Sequence, residues 1–163
     1  MGDTDVKLLG TLLIGLLAAV GTVAQAADTT EQEVRQQIMD NNAYANKNLK
    51  GPSDEYSKDG ATEFWSSGGL MQEISANGRP EEFEIVNIAV KHLKVTTLVP
   101  GKVAMAHYYS EGTQKVKGGA LVPHYFTRVS QIFVKEGGKW KIRASHWSAV
   151  LGGSGTTQTA VEE

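Results

Sequence analysis

Two runs near the carboxyl end decide the fold: His124-Tyr125-Phe126-Thr127-Arg128-Val129-Ser130-Gln131-Ile132-Phe133-Val134-Lys135, and Lys139-Trp140-Lys141-Ile142-Arg143-Ala144-Ser145-His146-Trp147-Ser148-Ala149, with Gly137-Gly138 between them. Both alternate with period two and are rich in β-branched and aromatic residues, which is the pattern of a half-buried strand. The glycine pair supplies the positive φ that a tight hairpin turn requires. The two runs are therefore expected to be antiparallel neighbours. Two further strands precede them, from about Glu82 to Leu98 and from Lys102 to Glu111, joined at Pro100-Gly101. Proline presets the first dihedral of a type II turn and glycine takes the second. The strand from Glu82 is longer than a flat sheet needs, which predicts a bend near His92 to Lys94. A sheet bent there can wrap a helix and leave a cavity at its concave face.

That helix is expected from Glu31 to about Lys50. Thr30 and Glu33 have capping-box spacing, Val34, Ile38, Ala45 and Leu49 recur at helical intervals, and Gly51-Pro52 ends the run. Asp54 to Asp59 reads as a short helical turn and Ala61 to Trp65 as a short strand, broken by Ser66-Ser67-Gly68-Gly69. One helix, one helical piece and a four-to-five-stranded meander make an α+β fold: a cone-shaped, curved antiparallel sheet around an N-terminal helix.

The 163 residues suffice for one domain with a continuous core, placed at 27–150. A net charge of -2, with no basic stripe, argues against a nucleic-acid partner. The absence of cysteine excludes disulfides, thiolate metal sites, a cysteine nucleophile and lipidation at Cys. Leu8 to Val23 is nearly all apolar, follows Lys7, and precedes Ala24-Gln25-Ala26. This is the layout of a signal peptide over residues 1–26, cleaved after Ala26, which predicts a periplasmic or secreted protein with no stable membrane insertion after cleavage. An uncleaved anchor is the alternative, because Asp3 and Asp5 outweigh Lys7. Residues 151–163, glycine-, serine- and threonine-rich, are expected to form a flexible tail.

The order of elements, the stretch Tyr125 to Val134 followed by Gly138-Lys139-Trp140-Lys141-Ile142 and His146-Trp147-Ser148, and the earlier Tyr56-Ser57-Lys58-Asp59-Gly60-Ala61 resemble the nuclear transport factor 2-like superfamily, in particular its SnoaL-like and ketosteroid-isomerase-like bacterial members. The likeness covers most of Thr30 to Val150. It implies a cone-shaped α+β barrel, dimeric through the outer face of its sheet. It does not imply a reaction, because this fold carries isomerases, cyclases, dehydratases, epoxide hydrolases and non-enzymatic binders.

Strand alternation places His124, Phe126, Arg128 and Ser130 on one face, and Trp140 and His146 on the corresponding face of the last strand. Read as the concave side, these residues would line an apolar pocket with Arg128 and His146 as its polar groups. The structural alternative pairs Arg128 with Glu63 or Asp59 and leaves His146 on a backbone carbonyl. Asp40 and Tyr44, one helical turn apart, could reach the same end of the pocket, Asp40 to orient a histidine and Tyr44 to polarise a carbonyl. Otherwise Asp40 is solvated on the polar edge of the helix. Tyr108 and Trp65 complete the ligand-binding candidates. The histidines lack the spacing of a metal motif, so no metal and no cofactor are expected. The long strands contain almost no acid, since Glu84, Glu111 and Glu136 lie near ends or turns, which disfavours isomerase or epoxide-hydrolase chemistry on a sheet carboxylate. The expected function is the binding of a small apolar or carbonyl-containing molecule by an exported homodimer. The alternatives are a cofactor-independent lyase or isomerase with His146 or His124 as general base, and a dimerisation or assembly module.

Overall fold

The computed structural model describes residues 25, 29–78, 80–150 and 155. Nearly all of the expected signal peptide and of the expected tail lies outside the described residues. Among the described residues, no helix is long and apolar enough to cross a membrane.

A helix, α1, covers residues 29–48. Six strands follow: β1 (Ala61–Phe64), β2 (Gln72–Ile74), β3 (Phe83–Val99), β4 (Val103–Val116), β5 (Val122–Glu136) and β6 (Lys139–Ala149). They form one sheet in the order β2-β1-β6-β5-β4-β3, so β2 and β3 are edges and the sheet is curved but not closed. The long strands pair antiparallel as expected. Short β1 joins β6 in parallel and makes the sheet mixed. Three residues, Gln72–Ile74, were too short a run to read as a strand, and they form only because β1 offers them a free edge. The segment expected as a helical turn is instead extended at Tyr56, which bridges Ile142.

The bend in β3 lies where the length of the strand requires it. His92 has φ 52° and the register with β4 slips between Lys91 and Lys94, a bulge that turns the strand. A second kink falls at Gly112, with φ 154°, where a Cβ would stand 2.0 Å from the Asn87 carbonyl oxygen. Only glycine allows the two backbones to approach that closely. A third irregularity, between Ile132 and Phe133 of β5, inserts Arg143 into β6 as an extra residue.

Val34 and Ile38 of α1 are buried against Val95, Ala104, Ala106, Val129, Phe133, Trp140 and Ile142. Each such side chain contributes roughly 1.5–3 kcal/mol. The helix begins upstream of the expected cap. Thr30 lies inside it, fully buried, and its hydroxyl accepts the Gly101 amide at 2.8 Å rather than capping α1. Glu33 reaches the sheet, accepting from Trp140 Nε1 at 2.8 Å and pairing with Lys135, whose ammonium lies 5.4 Å over the Trp140 ring. Asn46 clamps the edge strand, donating to the Ile88 carbonyl at 2.8 Å and accepting from its amide at 2.9 Å. The helix stops at Leu49, which adopts φ 56°, before the Gly51-Pro52 pair.

Candidate functional site

A second, smaller cluster of Ile88, Val122 and Tyr125, with Val86 packed on it, sits apart from the main core. Residues of both clusters line a cavity of about 230 Å³ between α1 and the concave face of the sheet. A cavity of about 150 Å³ lined by aliphatic residues accepts benzene, so this one admits a single ring with a few further atoms.

Three carboxyl groups face this cavity, and the backbone of each is fixed by the fold. Glu55 lies on the segment that runs beside β6, held where the Ile142 amide donates to its carbonyl at 2.8 Å and the Ser57 amide donates to the Ile142 carbonyl at 2.9 Å. Glu63 sits on β1 opposite Ser145, in the parallel pairing with β6. Glu81 precedes β3, where the Gly51 amide donates to its carbonyl at 3.3 Å and the Phe83 amide donates to Leu49 at 2.8 Å. The end of α1 thus sets the position of Glu81.

Burial raises all three carboxyl groups above the ordinary carboxylate range. Glu55 is pushed up to about 8, first by burial and then by the charges of Glu63, Asp54 and Glu81, against a smaller opposing effect of Lys141. Glu81 is pushed up to about 7 by burial and by Glu63. Glu63, only 4% exposed, is also raised by burial, although hydrogen bonds from Ser145 and Tyr56 oppose the rise. A buried chain of polar groups leads away from it. The Tyr108 hydroxyl donates to Gln131 Oε1 at 2.9 Å, and Gln131 Nε2 donates to Ser145 Oγ at 3.3 Å. Tyr56 OH donates to Glu63 Oε2 at 3.4 Å. Burial raises both tyrosine hydroxyls, so they stay protonated donors.

Of the candidates named from sequence, Tyr108 and Trp65 line the cavity. Trp140 is buried, but its indole is committed to Glu33. The remaining candidates point elsewhere. His124, Phe126, Arg128 and Ser130 lie on the convex face, because the buried set of β5 is Tyr125, Thr127, Val129, Gln131 and Phe133. Aromatic residues occur on both faces of β5, so composition pointed to the wrong one. On β6, Trp140 and Ile142 do face inward, but the extra residue Arg143 shifts the phase, so that Ser145 is buried and His146 is exposed. His146 lies tilted against Phe64 at 5.5 Å between ring centres, and His124 stacks on Phe126 at 6.2 Å. Arg128 pairs with neither Glu63 nor Asp59, and donates to Ser148 Oγ at 2.9 Å. Asp40 is exposed and accepts from Gln36, and Tyr44 is 40% exposed. These placements remove the histidines, Asp40 and Tyr44 from the cavity. The glutamates escaped the sequence reading because two stand in irregular segments and the third in a four-residue strand. The one available signal was Glu63 in phase with Ala61 on that strand.

Among the described residues, no group of three or more His, Asp or Glu side chains is placed to hold a metal ion. No protein-family model matches the sequence, and no curated protein matches it. Solved structures do. A nuclear transport factor 2-like protein of unknown function from Pseudomonas putida KT2440 superposes with a TM-score of 0.56 at 18% identity, over 76% of this chain and 89% of that one. A proposed aromatic ring hydroxylase from Novosphingobium aromaticivorans gives 0.54 at 20%, over 74% and 90%. A proposed dehydratase of the same superfamily from Streptomyces avermitilis gives 0.53 at 16%, over 76% and 97%. At these identities the likeness is one of fold, and it agrees with one helix packed against a curved sheet. The chain therefore has the nuclear transport factor 2-like fold.

Proposed function

We propose that this protein binds a small organic molecule in the cavity between α1 and the sheet. The observation that carries the reading is a set of polar groups left without protein partners on largely apolar walls. Ser110 and Gln114 of β4 are 4% and 6% exposed, line the cavity, and form no side-chain hydrogen bond among the described residues. The Trp65 indole N–H on the same wall is buried and unpartnered as well. Leaving the buried indole N–H unsatisfied costs about 1–3 kcal/mol, and a bound molecule with an acceptor atom recovers it. Export behind a leader cleaved after Ala26, and a homodimer formed through the convex face, belong to the same proposal. The leader pattern supports the first, and the exposed Phe64 and Tyr109 support the second. Native mass spectrometry of the full chain purified from producing cells tests the binding reading. A small molecule released on denaturation is expected; an empty protein that also takes up no member of a fragment library refutes it.

A second reading, a cofactor-independent lyase or isomerase, is favoured by one observation. Glu81 and Glu55, at about 7 and about 8, populate both acid and base forms near neutrality, as general acid–base catalysis requires. None of the acids on the four long strands lines the cavity, but β1 and the flanking segments supply three, so the sequence argument against carboxylate chemistry no longer applies. The dehydratase and hydroxylase labels belong to proteins that share only the fold. Proton abstraction next to a carbonyl predicts deuterium uptake from D2O into the released molecule, lost in Glu81→Gln; no uptake in the wild type excludes this reading.

A further inference from the structure

Glu55, Glu63 and Glu81 all line the cavity, and among the described residues no Lys, Arg or His side chain lines it with them. The nearest cation described above, Lys141, is committed to Asp54 through that residue's carbonyl and carboxylate. Neither Glu55 nor Glu81 forms a side-chain hydrogen bond or ion pair among the described residues. Three like-charged groups in one desolvated space repel one another, and Glu55 and Glu81 lose hydration that no described side chain replaces, whereas Glu63 keeps hydrogen bonds from Tyr56 and Ser145. A rim of rings accompanies them: Tyr56, Trp65, Tyr108, Tyr125 and Trp147 also line the cavity. Aromatic faces attract a cation through their quadrupole, more strongly once water is excluded. The unpartnered Ser110, Gln114 and Trp65 are independent evidence that the space is built for a polar occupant rather than for an aliphatic one.

We infer that the cavity selects a small organic cation, an ammonium-bearing molecule of about one ring, with its charged nitrogen among Glu55, Glu63 and Glu81 and its carbon skeleton against the aromatic wall. This inference rests on the binding reading above and adds the charge class of the ligand. An organic cation fits better than a metal ion, because the described acidic side chains are not grouped to hold one. The nitrogen would gain charge-assisted hydrogen bonds from carboxylates that are otherwise mutually destabilising. Such a ligand favours the ionised glutamates, whereas a neutral ligand held by protonated carboxyl groups favours the acid forms. The two occupants therefore give opposite dependences on pH.

Benzylamine, benzyl alcohol and benzoate share one skeleton and differ in the charge of one small group. Titration calorimetry of the full chain with each at pH 6 and pH 8 tests the inference, with Glu55→Gln and Glu81→Gln as variants. Two variants are used because either one alone could perturb the neighbouring loop. Benzylamine is expected to bind about tenfold or more tighter than benzyl alcohol at pH 8, to weaken at pH 6, and to lose most of that preference in either variant. Benzoate is expected not to bind. Equal or tighter binding of benzyl alcohol, or binding that strengthens toward pH 6, overturns the cation and leaves the binding reading standing. Failure of all three probes overturns the inference, and the fragment and native mass experiments then decide the binding reading separately.

Discussion

Replacing Glu55 by glutamine should leave the stability of the protein unchanged near pH 5 and raise it at pH 9. The carboxyl group moves from an ordinary 4.5 to about 8 in the folded chain, so the folded state keeps its proton at pH values where the unfolded chain has lost it. The folded state thus binds more protons between those limits, and stability falls as pH rises through that window. At about 1.4 kcal/mol per pH unit the ceiling is on the order of 5 kcal/mol. Relaxation of the loop, water entry and the nearby Lys141 reduce this, and we expect about 2 kcal/mol. Glutamine keeps the shape of the side chain and cannot ionise, so the variant escapes the penalty. Urea denaturation of both proteins at pH 5, 7 and 9 measures it, with near-ultraviolet circular dichroism to confirm native packing around the tryptophans. A difference between the proteins that is the same at all three pH values, or a wild type that gains stability from pH 7 to pH 9, would show that Glu55 is not held as described.

Gly112→Ala should destabilise by on the order of 3 kcal/mol, because a Cβ at φ 154° meets the Asn87 carbonyl at 2.0 Å; a chemical-denaturation midpoint within error of wild type would refute the close approach. Asn46→Ala should cost about 2 kcal/mol by unclamping Ile88, and amide hydrogen exchange should quicken in β3 near residue 88 more than in β5. Glu33→Gln should cost under about 1 kcal/mol at pH 7, since the side chain is partly solvated, and that loss should shrink as pH falls below the ordinary carboxylate range.

The fold was largely legible because its signals are local. Period-two strands, the Pro100-Gly101 and Gly137-Gly138 turns and the helical spacing of Val34 and Ile38 each act over a few residues. The bend at His92 was readable from strand length alone. The site was not legible, for two physical reasons. Face assignment along a strand depends on an unbroken period of two, and the single inserted Arg143 reverses it between Ile142 and Ser145. The glutamates owe their surroundings to long-range pairing, Glu63 opposite Ser145 and Glu55 beside Ile142, across about 80 residues of chain. Beyond the phase of Glu63 with Ala61, nothing in the sequence neighbours of either residue announces a buried acid.

The two populations of carboxyl groups pull stability in opposite directions. Glu33, Asp54, Glu84, Glu111 and Glu136 are held below the ordinary range by lysine partners or amide donors on the outside of the fold. Their contribution is present above the unfolded value near 4.5 and is lost as pH falls below it. Glu55, Glu63 and Glu81 contribute in the reverse sense, fully present below that value and lost as pH rises, toward about 7 for Glu81 and about 8 for Glu55. The empty protein should therefore be most stable in mildly acid solution, around pH 5. A cation in the cavity cancels the second loss and not the first, so it should move the optimum upward, toward neutrality. Thermal denaturation profiles from pH 4 to pH 9, with and without saturating benzylamine, read this directly. A ligand that raised the melting temperature equally at every pH would engage the protein without engaging the three glutamates, and the charge assignment would then be wrong.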